Sequence, residues 1–515
     1  MNAGQARVRL VQAGSVLAAV ALIAGCGSTY RSVVTPVGSS GPAPQPSSYA
    51  VVVSAPSPST PGVATIIDYS GDSVLAYAPI GPGPTSFTMD ELGANGYTIN
   101  SDHTLTNFPI SSQLQEKQIL FTTLPPNAEP VNLFSPSSGL WAADLYKNYA
   151  DIFSGGPEAF KLSVPVAPTP VLIAGPGSGG QRYYAISQQI AGTPSGVECN
   201  LTASGEPAGM ADGIETASDT VSSNLPLGKC PVFAVQTPDL QRFYVLNRGD
   251  DTITVVNSQL NTLDDQCPPP TGCKNQDGQT YFSHPLLPLS TNAVTATGIT
   301  PPNGTTGMPA VAAPVYAEYS SALQELVVAD YVGGTVSVID VSLDQYGNDS
   351  ATFGTTYTIP VGQTSTPYPA SVTVLADGSR AYTANQGDCT PNCASAPNGT
   401  VSVVELGSHT LEKTLSVTGL PRTVVSTQNS QYGKVYVASP NSPFLTVIQT
   451  GGTSPDTVDT TILVEGNIVD VRVSTQNGSP GNVNTFSRVP GYGQPCNLPP
   501  NAATPTTLLA CQTLP

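Results

Sequence analysis

Seven short β-forming runs in this chain each end in a small polar residue. They are Asp68 in ATIID, Asp144 in LWAAD, Ser187 in YYAIS, Asn247 in FYVLN, Asp330 in LVVAD, Asn385 in AYTAN and Ser439 in VYVAS. Carboxylates and amides at equivalent points of a repeat could form a polar rim able to hold a ligand or cation. Asp68, Asp144, Asn247, Asp330 and Asn385 are therefore the candidate ligand-binding residues. The simpler and preferred account is that Asn, Asp and Ser start the turn after each strand through side-chain to backbone hydrogen bonds. Arg422 follows Pro421 at the mouth of a strand; it could hold an anion there or satisfy neighbouring backbone carbonyls, and either role fits. Arg248-Gly249-Asp250 reads as a strand-to-strand turn rather than an adhesion tripeptide. Asp250-Asp251 and Asp264-Asp265 could lend oxygens to a loop cation, but solvated turns account for both pairs. His103, His284 and His409 lie far apart, and no G-x-S-x-G, H-E-x-x-H or P-loop occurs. No catalytic residue, metal ligand or cofactor is assigned.

The elements that position these residues recur with them. PVFAVQTPDLQRFYVLNRGDDTITVVN from Pro231 aligns without a gap on PVYAEYSSALQELVVADYVGGTVSVID from Pro314. Five residues past most closing residues the next strand begins, at Ser73, Tyr149, Thr252, Thr335 and Phe444. TVSVID alternates with the two-residue period of a half-buried strand, and Asp377-Gly378 signals a tight turn. Such repeats bury their apolar faces by stacking on neighbours. Pro231, Pro314, Pro369 and Pro421 open successive units spaced beyond the ~40–50 residues of a minimal four-stranded blade. The surplus falls at 258–300 and 386–398. The Asp68 unit lacks an innermost strand, and 466–477, lacking a following one, would complete it against 64–78. Seven closing residues thus predict an all-β, seven-bladed β-propeller with four-stranded antiparallel blades, its ring closed by strands from both termini. An open array or two smaller domains is the alternative.

Arg7 and Arg9, the apolar run Val16–Ile23 and Ile23-Ala24-Gly25-Cys26 resemble the lipobox leader of bacterial lipoproteins. The resemblance implies cleavage before Cys26 and lipidation of its thiol. Nine cysteines are an odd number. Setting Cys26 aside leaves Cys199 and Cys230, Cys267 and Cys273, Cys389 and Cys393, and Cys496 and Cys511 as sequence-local pairs. Disulfides in an oxidising compartment are preferred over metal binding, although local pairing is one of many possible connectivities. The expected organisation is a signal peptide over 1–25, a lipidated Cys26 with a Pro/Ser-rich tether over 26–62, the propeller over 63–480 and a disulfide-clipped tail over 481–515. Charged residues are 10% of the chain, and loss of Arg7 and Arg9 takes the formal net charge from −18 to −20. This balance argues against nucleic acid and anionic membrane surfaces as partners.

RFYVLNRGDDTITVVN and RAYTANQGD…NGTVSVVE resemble the YVTN-type β-propeller repeats of exported proteins over about 230–450. That family is seven-bladed, and related lactonase propellers share the ring; neither implies one activity. The expectation is a monomeric, membrane-anchored binding or scaffold protein of the bacterial cell envelope. Its partner would be a protein or glycan, at the outer membrane or cell surface rather than the inner membrane, with no catalysis and no cofactor. The alternative is a sugar-lactonase-like hydrolase using a metal or acid at the central channel; a periplasmic assembly factor is a third reading.

Overall fold

The computed structural model describes residues 49–474 apart from 58, 91–92, 112–113, 115–118, 127, 129, 137–138, 146, 155–158, 177–179, 190–207, 290–311, 365–366 and 388–397. The expected leader, Cys26, the 481–515 tail and Cys199, Cys389, Cys393, Cys496 and Cys511 lie outside the described residues.

Eight antiparallel sheets, seven of four strands and one of five, form the blades. From the innermost strand outward, blade 2 runs Pro84–Met89, Asn95–Asn100, Thr104–Pro109 and Leu120–Thr123. Blade 3 runs Pro130–Phe134, Leu140–Asp144, Tyr149–Ser154 and Ala159–Pro165, and blade 4 Pro170–Ala174, Arg182–Ser187, Ala208–Glu215 and Thr220–Lys229. In blade 5, Pro231–Gln236, Arg242–Asn247 and Thr252–Asn257 are followed by both Thr262–Leu263 and Leu286–Pro288 on the outer edge. Blade 6 runs Pro314–Ser320, Glu325–Asp330, Thr335–Asp340 and Thr356–Pro360. Blade 7 runs Pro369–Val374, Arg380–Asn385, Asn398–Glu405 and Thr410–Thr418, and blade 8 Thr423–Ser426, Lys434–Ala438, Phe444–Gln449 and Thr457–Leu463. Blade 1 takes its innermost strand, Asn467–Val473, from the far end of the ring; Tyr49–Ala55, Pro61–Asp68 and Ser73–Pro82 complete it. The innermost strands touch one another in cyclic order, so the ring is closed.

The expected seven blades are corrected to eight, and the register shows why. Asp68 ends the third strand of its blade, opposite Tyr49 and Ser73. It therefore lies at the rim away from Asn247, which ends a second strand opposite Pro231 and Thr252. The five-residue step from Asp68 to Ser73 imitates the repeat without belonging to it. Two second strands escape the count. One ends at Asn100, four residues before Thr104. The other, Tyr49–Ala55, lies in the stretch read as tether, so the ring begins at least as early as Tyr49. YAVVVSA is an almost wholly buried apolar run and has no character of a solvated linker. The closing strand pairs with this segment, not with 64–78.

Proline opens the innermost strand of blades 2 to 7, where a first residue needs no ladder N–H. The residues before five of these prolines, Gly83, Thr169, Cys230, Ala313 and Tyr368, have φ of 48°, 61°, 53°, 52° and 49°. This left-handed step turns the chain from one blade's outer edge into the next blade's centre. Each of the five carbonyls accepts the N–H of the residue just past a closing residue: Ser101, Gln188, Arg248, Tyr331 and Gln386 respectively. Apolar layers fill the spaces between blades, as where Phe233 stacks on Tyr316 across blades 5 and 6. A disulfide joins Cys267 to Cys273 in the blade 5 insertion. Cys230 is also disulfide-bonded.

Candidate functional site

Apart from Asp68, the closing residues are buried, and those of four blades reach along the sheet instead of into solvent. Asn247 Nδ2 donates to Thr252 Oγ1 at 3.0 Å and Thr254 Oγ1 at 2.8 Å. Asn385 Nδ2 donates to Thr400 Oγ1 at 3.0 Å and Ser402 Oγ at 2.9 Å, and Asn100 Nδ2 to Thr104 and Thr106 at 2.9 and 2.7 Å. In blade 6 the polarity reverses: Asp330 Oδ2 accepts from Thr335 Oγ1 at 3.0 Å and Ser337 Oγ at 2.6 Å. The farther hydroxyl then accepts a backbone N–H from the preceding blade's exit. Gly228 donates to Thr254 at 3.3 Å, Gly81 to Thr106 at 3.1 Å and Gly362 to Ser402 at 2.9 Å. The amide, the hydroxyl and the neighbouring backbone thus form one staple across a blade joint. Glycine at 81 and 228 is a packing requirement, since a Cβ would stand 2.1 Å from Asn100 Nδ2 and 2.6 Å from Asn247.

The other closing residues differ in detail. Asp144 is buried, and its Oδ1 accepts the Lys147 N–H at 3.3 Å. Ser187 is buried, and Ser439 Oγ donates to the Thr418 carbonyl at 2.8 Å. Asp68, on the opposite rim, starts a turn as expected, as Asp144 does, accepting the Ser70 N–H at 2.9 Å. Five candidate ligand residues therefore do not converge: four are separated by blade joints and one is at the other face. In the Arg-Gly-Asp segment, Arg248 is buried over the Tyr331 ring, 5.8 Å from its centroid, and Asp250 Oδ2 accepts the Lys229 N–H at 3.0 Å.

Arg422 sits where the last blade meets the first. Its Nη2 donates to the Val469 carbonyl. Val469 is the extra residue of a bulge, since Val53 faces Asp470 and Ser54 faces Ile468. The guanidinium thus covers a carbonyl that the ladder leaves over. Burial holds its pKa below the usual arginine value, Asp470 opposing and Arg472 adding to that shift. Asp470 is itself engaged by Arg472 Nη2 at 2.9 Å and by the Val471 N–H at 2.9 Å. In the innermost strand of blade 6, burial pushes Glu318 up to about 8, against hydrogen bonds from Thr373 and the Val374 backbone of blade 7.

A second set of joints, on the rim opposite the closing residues, escapes the sequence reading. Arg182, Arg242, Arg380 and Lys434 each start a second strand, with a tyrosine two residues on and the closing residue five residues on. Tyr184 OH donates to Asn261 Oδ1 at 3.1 Å. Arg380 and Tyr382 both hold Asp456, and Lys434 and Tyr436 both hold Asp72. Asn261, Asp456 and Asp72 are left-handed turn residues of the next blade (φ 57°, 55° and 51°). The pattern R/K-x-Y-x-x-N/S was visible in RYYAIS, RFYVLN, RAYTAN and KVYVAS. Among the described residues, no three His, Cys, Asp or Glu side chains are grouped so as to hold a metal.

No protein-family model matches the chain. No curated protein matches it. Dihydro-heme d1 dehydrogenase NirN superposes with a TM-score of 0.54 at 11% identity, covering 86% of this chain and 78% of NirN. Apo AztD from Citrobacter koseri gives 0.51 at 12% identity, covering 84% of this chain and 98% of AztD. A putative 6-phosphogluconolactonase from Bacteroides fragilis gives 0.49 at 13% identity, covering 84% of this chain and 99% of that protein. The likeness is one of fold. It places this chain among β-propellers and leaves its chemistry to its own residues.

Proposed function

We propose that the chain is a binding or scaffold propeller of the bacterial cell envelope, lipid-anchored through Cys26, of the YVTN-repeat kind, and not a hydrolase. The observation that supports this reading is the use to which the recurring polar residues are put. Asn100, Asn247, Asp330 and Asn385 are buried and bonded to the strand hydroxyls beside them. Arg422 is spent on a backbone carbonyl at the ring seam. The repeat therefore builds a rigid platform, and recognition falls to the connections that differ from blade to blade. The partner is a protein or glycan of the envelope, bound by a monomer.

Membrane fractionation and lipid labelling of the full chain test the anchor: Cys26→Ala releases the protein and abolishes labelling, and unchanged fractionation overturns lipidation. Assay of the purified propeller against sugar lactones tests the rest. No turnover is expected; turnover lost on Glu318→Gln would establish the hydrolase instead.

A further inference from the structure

The joint between blades 5 and 6 differs from the two in which a cation and a tyrosine share one carboxylate. At the joints between blades 7 and 8 and between 8 and 1, one cation and one tyrosine hydroxyl share a single carboxylate at the next blade's turn. Arg242 and Tyr244 occupy the same positions in blade 5. Blade 6, however, joins its third and outer strands through a long connection, from Val341 to Thr355, closed by a Leu343–Asp349 bridge. Arg242 Nη2 meets Asp349 Oδ1 of that connection at 3.0 Å and also Asp264 Oδ1 of its own blade at 3.5 Å. Tyr244 OH, Arg242 Nε and Asp264 Oδ2 are buried there without a hydrogen-bond partner among the described residues. Partly exposed His284 closes the cluster, its Nδ1 2.8 Å from Asp349 Oδ2 and its backbone N–H 3.1 Å from the same oxygen. His284 stacks on Phe353, and its insertion is clipped by Cys267–Cys273.

The other rim of the same joint carries a second acidic pair. Asp330 stands where blades 5 and 7 carry the amides of Asn247 and Asn385, and its Oδ1 has no partner among the described residues. Asp251 lies close enough to act on it electrostatically, and its Oδ1 accepts the Ala313 N–H at 2.8 Å.

We propose that the joint between blades 5 and 6 is a proton-operated seam, tight while Asp264, Asp330 and Asp251 hold protons and the first joint of the ring to part when they ionise. Burial, reinforced by the neighbouring carboxylate, raises Asp264 and Asp330 to about 7 and Asp251 to about 6. At the first rim these groups face Arg242 and Tyr244 of blade 5, His284 of its insertion, and Asp349 and Tyr319 of blade 6. At the second they face Asp250, with Arg248 over Tyr331 nearby. A carboxyl protonated when closed and ionised when open makes opening more favourable by about tenfold per pH unit between its open and closed pKa values.

Hydrogen exchange of the full chain at about pH 5.5 and pH 8, corrected for intrinsic rates, tests the seam. Protection in Arg242–Asn247 is expected to fall about tenfold or more at the higher pH, while Tyr49–Ala55 and Asn467–Val473 keep theirs. Asp330→Asn, which restores the amide of the adjacent blades, and Asp264→Asn are expected to flatten this response. Uniform loss across all joints, earlier loss at the blade 8 to blade 1 closure, or an unchanged response in both variants overturns the proposal. The wild-type exchange pattern decides it even where a variant fails to fold.

Discussion

At the scale of single residues, the closing Asn and Asp are fasteners. Asn247→Ala removes two hydrogen bonds, leaving Thr252 Oγ1 bonded to Asp250 and Thr254 Oγ1 to the Gly228 N–H. A net hydrogen bond is worth about 0.5–1.5 kcal/mol, so denaturant unfolding should show a loss of about 1–3 kcal/mol for the two. Gly228→Ala acts on the same staple from the other side by pushing a Cβ into Asn247. A wild-type unfolding midpoint for Gly228→Ala would show that the close approach is not required. The run of polar strand ends was legible in the sequence. Which group bonds to each was not, because a β-strand's side-chain direction becomes a contact only when the next strand's register is fixed.

At the scale of elements, the second strand of a blade works at both ends. Its first residues reach the following blade's turn, and its last residue holds its own third strand. Tyr382→Phe removes a hydroxyl that donates to the buried carboxylate of Asp456, a charge-assisted bond worth about 1.5–3 kcal/mol. Tyr244→Phe removes a buried hydroxyl with no partner among the described residues and should leave stability unchanged or raise it. Equal losses in the two variants, measured by thermal or urea unfolding, would refute the difference between these joints. The R/K-x-Y signal was present in four strands but silent as a reading, since its acceptors Asn261, Asp456 and Asp72 come from neighbouring blades.

At the scale of the whole molecule, buried carboxyls set the pH response. Glu318 is raised to about 8, Asp264 and Asp330 to about 7 and Asp251 to about 6, all from ordinary values near 4. The folded state holds these protons through a range in which the unfolded chain has released them. Stability from this source is complete below about pH 4 and is lost as pH rises through 6 to 8. The unfolding midpoint should accordingly be higher near pH 5 than near pH 8; a flat or rising profile would contradict it. Removal of Asn467–Val473 leaves blade 1 without its innermost strand and should abolish cooperative unfolding, as followed by circular dichroism.

The sequence by itself determined the repeat, the strand character of its units and closure by a strand near 467. Those are local patterns of alternation, turn residues and small closing side chains. Only the tertiary structure decided the number of blades. Asp68 and Asn247 are alike in type and spacing, and they differ only in which strand they end, hence on which rim they stand. The same holds for the candidate site. Spacing along the chain brings like residues to equivalent points of a ring, and blade joints then keep them apart and bury them.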